Sequence, residues 1–389
     1  MRDKKITDEI IYIGADDKEL TLFESQYVLE NGMAYNSYLI KDEKNVILDT
    51  ADERVTDKWL KNLESALDGE KVDYLIVSHM EPDHAFNIGL IAKKYPEMKI
   101  VGNSMTFTIL SNFFDIDLTD RKVVVKEGDT LHIGKHTLQF FMAPMVHWPE
   151  VMVTYDQKDK VLFTADGFGK FGTLDTEEDW DCEARRYYFG IVGKYGAQVQ
   201  ALLKKVKTLD VEIICPLHGP ILKENLDHYI EKYDIWSSYK PEDDGVFIAV
   251  ASIHGNTLKA AKKLKEILEK KGAKKVVLTD LAREDMAEAV EDAFRYDKIV
   301  LAASSYNANV FVPMDQFLRK LKERNYQNRK IAIIENGSWA PSAAKSMKNI
   351  LQEMKDIDII EPTITIKSTM KQEDVKQMES LADNLIKDD

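Results

Sequence analysis

The stretch SHMEPDHAF, residues 78 to 86, sets His79, Glu81, Asp83 and His84 within six positions. It follows directly on the apolar run VDYLIVS, so the cluster falls at the end of an expected strand. Three more residues of the same types close apolar runs: His147 after HTLQFFMAP, Asp166 in KVLFTAD, and His218 after VEIIC. Each has Gly or Pro within three residues. A single histidine at a strand end is normally a satisfied structural residue. Three such ends joining a dense cluster point instead to a shared metal site. If residues 79 to 83 stay extended, 79, 81 and 83 project one way, and the adjacent Asp83 and His84 diverge toward two ions. Four imidazoles and three carboxylates make a mixed nitrogen and oxygen set, which suits iron or manganese better than a histidine-rich zinc site. The added anionic charge supports higher oxidation states, which redox-inert zinc does not need. His132, His136 and His228 lack this setting and are expected on the surface or in the core.

A second chemistry lies further along. Three loops each follow an apolar strand: SIHGNT (252–257), SSYNANV (304–310) and ENGSWAP (335–341). The first precedes a helix, and its backbone N–H groups can cradle a phosphate. It matches neither the nucleoside-triphosphate nor the dinucleotide glycine pattern. The other two offer small polar residues and one aromatic each, Tyr306 and Trp339, suited to a flat apolar ring with a polar edge.

These residues need two kinds of scaffold. The chain has 389 residues, long enough for two domains. Up to residue 165 the signals are mostly strands. Residues 183 to 209 read as one helix and 221 to 239 as another. YKPEDDG (239–245) reads as a linker. After it, five apolar strands alternate with five amphipathic helices, which implies a parallel sheet covered on both faces. The expected domains are 1–242 and 243–389.

The net charge of −14 argues against nucleic acid and anionic membranes as partners. No apolar run is long enough to span a bilayer, and MRDKKITDEI lacks a secretory h-region, so the expected location is the cytoplasm. The two cysteines, Cys182 and Cys215, form no C-x-x-C pair, which excludes zinc-ribbon, ferredoxin and rubredoxin sites within the chain. Cys215 ends the run VEIIC and is expected in the core.

The second half resembles flavodoxin over about 245 to 389, most specifically in the strand–S-x-x-G-N-T–helix element. The resemblance implies a doubly wound five-stranded parallel sheet and bound FMN. Ser252, His254, Gly255, Asn256 and Thr257 would hold the phosphate. Ser304, Ser305, Tyr306, Asn307, Ala308 and Asn309, with Asn336, Gly337, Ser338 and Trp339, would hold the isoalloxazine. The order H-x-E-x-D-H, then His, Asp and His, resembles the metallo-β-lactamase superfamily over roughly 1 to 240. That implies an αββα sandwich with a two-metal site, although hydrolases of the superfamily usually carry histidine where Glu81 stands.

The fusion of the two, with EARRYY at 183–188, resembles the flavodiiron proteins (A-type flavoproteins). The resemblance implies two irons per chain: one on His79, Glu81 and His147, the other on Asp83 and His218, with Asp166 bridging. His84 is a variable ligand in that family. The implied activity is an FMN- and di-iron-dependent oxidoreductase, reducing dioxygen to water or nitric oxide to nitrous oxide. The electron donor would be external, rubredoxin or a related reductase. The implied assembly is a head-to-tail homodimer, alone or as a dimer of dimers, and Trp148 is expected near its junction. The competing readings are a zinc-dependent hydrolase with an accessory flavodoxin domain, and an electron carrier with a decayed metal site.

Overall fold

The short Val-, Ile- and Leu-rich runs of the first half have side chains to bury on both faces of a pleated strand. In the computed structural model, which describes residues 4–387, they form two mixed sheets. The first sheet orders the strands Ile10–Tyr12, Tyr38–Ile40, Val46–Leu48, Tyr74–Ile76, Lys99–Gly102 and Lys122–Val124. The second orders Thr130–His132, Thr137–Met142, Met152–Asp156, Val161–Phe163 and Ile213–Cys215. Their inner faces share one core, with Tyr38, Ile40, Leu48, Ile76 and Val101 meeting Leu138, Phe140, Met152, Phe163 and Cys215. Cys215 is fully buried, as expected, and burial pushes its thiol well up.

The helix Thr56–Leu67 forms because Trp59, Leu63 and Leu67 recur every four residues and bury one stripe. Each such side chain contributes about 1.5–3 kcal/mol. The helix Ser104–Phe113 starts at Asn103, whose side-chain oxygen accepts from the N–H groups of Met105 (3.0 Å) and Thr106 (3.1 Å).

Two expectations change. Residues 183 to 209 are not one helix. Trp180–Tyr187 gives way to a π-helical turn at Tyr188–Val192 and a 3₁₀ turn at Gly193–Tyr195 before Gly196–Val206. Two glycines, Gly190 and Gly193, weaken the helix there. YKPEDDG is not a loose tether either. Tyr239 is buried, and a strand begins at Asp243.

The chain divides into two compact units, residues 1–188 with 197–234, and 189–196 with 235–389. The second unit carries one parallel sheet in the order Val276–Asp280, Asp243–Ala251, Tyr296–Tyr306, Gln327–Asn336, Lys355–Ile366. This is the doubly wound order, whose ligand crevice lies at the carboxyl ends of the strands. Its covering helix Asn256–Lys270 buries Ala260, Ala261, Leu264, Ile267 and Leu268.

Arg329 fastens this unit's lower edge. Its buried guanidinium donates to the carbonyls of Tyr296 (2.9 Å), Tyr239 (2.8 Å), Gln327 (3.0 Å) and Asn328 (3.1 Å), and to that of Phe294. Arg329→Ala strands several buried acceptors at once. It is expected to destabilise the unit by about 3 kcal/mol, measured as the loss in urea unfolding. A loss within experimental error would contradict this role.

Candidate metal centre and flavin cavity

The strand Tyr74–Ile76 runs out at Ser78, and the buried Asp49 holds that end. Its Oδ1 accepts from the N–H of Ser78 (2.7 Å) and of His79 (3.3 Å). The segment does not stay extended. Glu81 is the N-cap of a one-turn helix, Pro82–Ala85, with proline at its first position. Asp83 and His84 therefore turn the same way, which corrects the expected divergence of those two residues.

All seven expected donors converge, in two groups. The first is His79, Glu81, His147 and Asp166; the second is Asp83, His84 and His218. In the first, His147 Nε2 stands 3.0 Å from Glu81 Oε2 and 3.0 Å from Asp166 Oδ2. His79 Nε2 lies 3.2 Å from Glu81 Oε2 and 3.3 Å from His147 Nε2. In the second, His84 Nε2 and His218 Nε2 are 3.0 Å apart, and Asp83 Oδ2 is 3.4 Å and 3.3 Å from them. Asp166 divides its oxygens between the groups. Oδ2 faces the first, and Oδ1 faces His84 at 3.3 Å and His218 at 3.9 Å. His84, variable by resemblance, points inward here and is fully buried.

These spacings fit metal ligation. Donors about 2.0–2.2 Å from one ion stand roughly 3.0–3.4 Å apart at ordinary coordination angles. Both oxygens of Asp83, Oδ1 of Asp166 and Nδ1 of His84 are buried without any hydrogen-bond partner. Buried carboxylate oxygens are rarely left so, and two cations would satisfy them. Burial pushes the Glu81 carboxyl up, but hydrogen bonds from His147 and His79 prevail and hold it below its ordinary range. Asp166 behaves alike: burial raises it, and the surrounding imidazoles of His79, His147 and His84 more than reverse that. The donor set is thus built for positive charge at its centre.

Outer partners fix the rings. His218 Nδ1 donates to the carbonyl of Ala34 (2.8 Å). His79 Nδ1 donates to Glu150 Oε1 (2.8 Å), which also accepts from the N–H of Met80 (2.8 Å). Glu150 is fully buried, and Asn103, the cap of Ser104–Phe113, donates to its carbonyl at 2.6 Å. Sequence reading missed Glu150; its place three residues after His147, between Pro149 and an apolar strand, was the available signal. Gly219, at φ +77°, follows His218 where a Cβ would fall 2.7 Å from Lys170 Cγ. Phe23, Tyr35 and Tyr187 wall His218, and the Trp148 ring meets His79 edge-on at 5.3 Å. His132 is exposed, while His136 is buried.

In the second unit the three loops line one cavity of about 640 Å³, a size typical of cofactor sites. Its wall includes Ser252, His254, Asn256 and Thr257, then 304–308 and 336–339. The helix Asn256–Lys270 opens with no side-chain cap, so its first N–H groups are free for an anion. Gly255, at φ +88°, makes the turn and is not itself on the wall. Asn309 pairs with Tyr306 in a short hairpin and also lies off the wall. Ser305 Oγ accepts from the N–H of Ser342 (2.8 Å) and Ala343 (3.2 Å), so it braces the third loop. Gly337 is required, since a Cβ would sit 2.8 Å from Pro341 Cα. Trp339 is 92% exposed at the rim, an open face on which a flat ring can lie. Ser368 was missed; it lines the cavity, and its backbone N–H and carbonyl pair with the Asn336 side chain at 3.1 and 3.0 Å.

Comparison with known proteins follows the same two-part division. Residues 33–219 match the family described as ODP family beta lactamase, and 247–367 match the flavodoxin domain. The Flavo-diiron protein FprA2 of Clostridium acetobutylicum is 28% identical over 389 residues, covering 96% of both chains. The anaerobic nitric oxide reductase flavorubredoxin of Vibrio vulnificus is 28% identical, over 86% of this chain and 70% of that one. Among solved structures, rubredoxin oxygen:oxidoreductase of Desulfovibrio gigas superposes with a TM-score of 0.91 at 25% identity, over 98% of this chain and 97% of that one.

Glu150→Gln is expected to lower Fe(II) affinity about 10- to 100-fold. Anaerobic equilibrium dialysis measures it, with circular dichroism as the control for folding. Unchanged affinity would remove Glu150 from the site.

Proposed function

This chain belongs to the flavodiiron proteins, and from that premise we propose that it is an oxidoreductase reducing dioxygen to water, nitric oxide to nitrous oxide, or both. When bound, the iron pair holds and reduces the diatomic gas, and FMN passes on electrons drawn from an external donor such as rubredoxin. The observation that carries the reading is the division of Asp166, one oxygen toward each donor group.

On this reading His79, Glu81 and His147 hold one iron, and Asp83, His84 and His218 the other, with Asp166 between them. Glu150 keeps the Nε2 lone pair of His79 turned inward. Trp148, Phe23, Tyr35 and Tyr187 surround the donors with ring edges and exclude bulk water, while leaving an apolar surround that a small uncharged gas can cross. The free N–H groups opening Asn256–Lys270, with Ser252 and Thr257, take the flavin phosphate, and Trp339 with Tyr306 offers surface to the ring. The metal chemistry is assigned to the unit of residues 1–188 with 197–234 and the flavin to that of 189–196 with 235–389, which moves the expected boundary at 242/243 back to 234/235. The protein works in the cytoplasm as a head-to-tail homodimer, and no helix among the described residues is long and apolar enough to cross a membrane.

The zinc hydrolase reading is weaker. Glu81 adds an anionic oxygen donor that hydrolytic zinc does not need, and two of the relatives are named as a nitric oxide reductase and an oxygen:oxidoreductase.

Iron-loaded protein, reduced anaerobically and then mixed with each gas in parallel in the presence of excess reductant, is expected to consume at least one at catalytic rates. Consumption of neither would overturn the proposal. Glu81→His, which exchanges an anionic oxygen donor for a neutral nitrogen one, is expected to lower iron content and to slow turnover at least about tenfold. Iron content and rates equal to those of the parent would contradict the role given to Glu81.

A further inference from the structure

The end of the sandwich opposite the metal centre holds another group of donors. His136 precedes the strand Thr137–Met142 that His147 follows, and Asp159 precedes Val161–Phe163, which Asp166 follows. Glu9 stands just before the strand Ile10–Tyr12. Ligand atoms of Glu9, His136 and Asp159 all lie within 4.8 Å of one another.

His136 is fully buried. Its Nδ1 stands 2.9 Å from Oδ2 of Asp156, itself fully buried. An ionised carboxylate only accepts, so Nδ1 carries the proton and Nε2 presents a lone pair. That Nε2 is buried and meets no hydrogen-bond partner. The carboxylates already attract positive charge. Lys158 Nζ reaches Glu9 Oε2 (3.1 Å) and Asp159 Oδ1 (2.6 Å), and Lys135 Nζ lies 3.4 Å from Glu9 Oε1. Thr7 donates to Asp159 Oδ2 at 2.6 Å. A surface cavity of about 330 Å³, lined by Thr7, Glu9, Lys158 and Asp159 among others, opens on the two carboxylates from solvent, with His136 buried behind them.

We propose that Glu9, His136 and Asp159 form a separate cation site, taking a divalent first-row ion such as zinc. One imidazole and two carboxylates neutralise the ion and leave a fourth position for water, the count zinc takes in open sites rather than in closed four-ligand ones. Asp156 behind His136 supplies the carboxylate–histidine–metal relay that fixes the ring. The lysine ammonium meets the two carboxylates but leaves Nε2 unmatched, whereas a metal ion satisfies all three. Glu9 and Asp159 are partly exposed, so an ion can reach them from solvent. Lys158 is then a competitor for the site. The ion would tie the approach to Ile10–Tyr12 to the turns before Thr137 and Val161, a structural staple independent of the gas chemistry.

The test uses the full-length, iron-loaded protein dialysed against micromolar zinc, with zinc and iron both measured. The expected result is one zinc per chain bound with iron undiminished. His136→Gln and Asp159→Asn should each lose that zinc while keeping iron and gas reduction, and Lys158→Met should tighten it at least tenfold. Zinc that appears only as iron is lost, no zinc in either the parent or Lys158→Met, or zinc retained in both His136→Gln and Asp159→Asn would each overturn the proposal.

Discussion

The constraint on which the first unit depends is that carboxylates are buried facing imidazoles, with oxygens that make no hydrogen bond. Asp83 and Asp166 are nearly inaccessible, and three of their four oxygens lack a hydrogen bond. Taking an ionised carboxylate out of water costs several kcal/mol unless positive charge meets it. The facing imidazoles meet part of that need and hold the Asp166 carboxyl below its ordinary range. Two cations meet it fully. The sandwich is the frame that holds these groups in place: its core is apolar and continuous, and the donors all stand at one end of it, in the loops leaving four strands.

The second unit solves a different problem by a different route. Its ligand is expected to be anionic at one end and flat and apolar at the other. Partial positive charge at a helix start and an open indole face supply both without any buried ion. The loops are braced mainly by one another. Ser305 holds the turn after Trp339, and Asn336 holds the Ser368 backbone, so the cavity is shaped before anything enters it.

Much of this was legible in the sequence because metal ligation demands residue types at strand ends, and apolar runs mark those ends. His147, Asp166 and His218 could each be found by that rule. The parallel sheet was legible because five apolar strands alternated with amphipathic helices. What was not legible is what depends on local turns. Pro82 starts a helix, so Asp83 and His84 share a direction that an extended reading denied them. Glu150 gave no periodic signal, because its partner His79 lies 71 positions away in sequence. The break at 188–195 keeps an apolar pattern close to helical, so periodicity alone could not expose it.

The most direct measurement is anaerobic metal analysis with electron paramagnetic resonance on the protein as isolated, beside Asp166→Asn. The account predicts about two irons per chain, magnetically coupled through Asp166, and a half-reduced signal that weakens or uncouples in the variant. A single uncoupled iron per chain, or zinc alone, would contradict it.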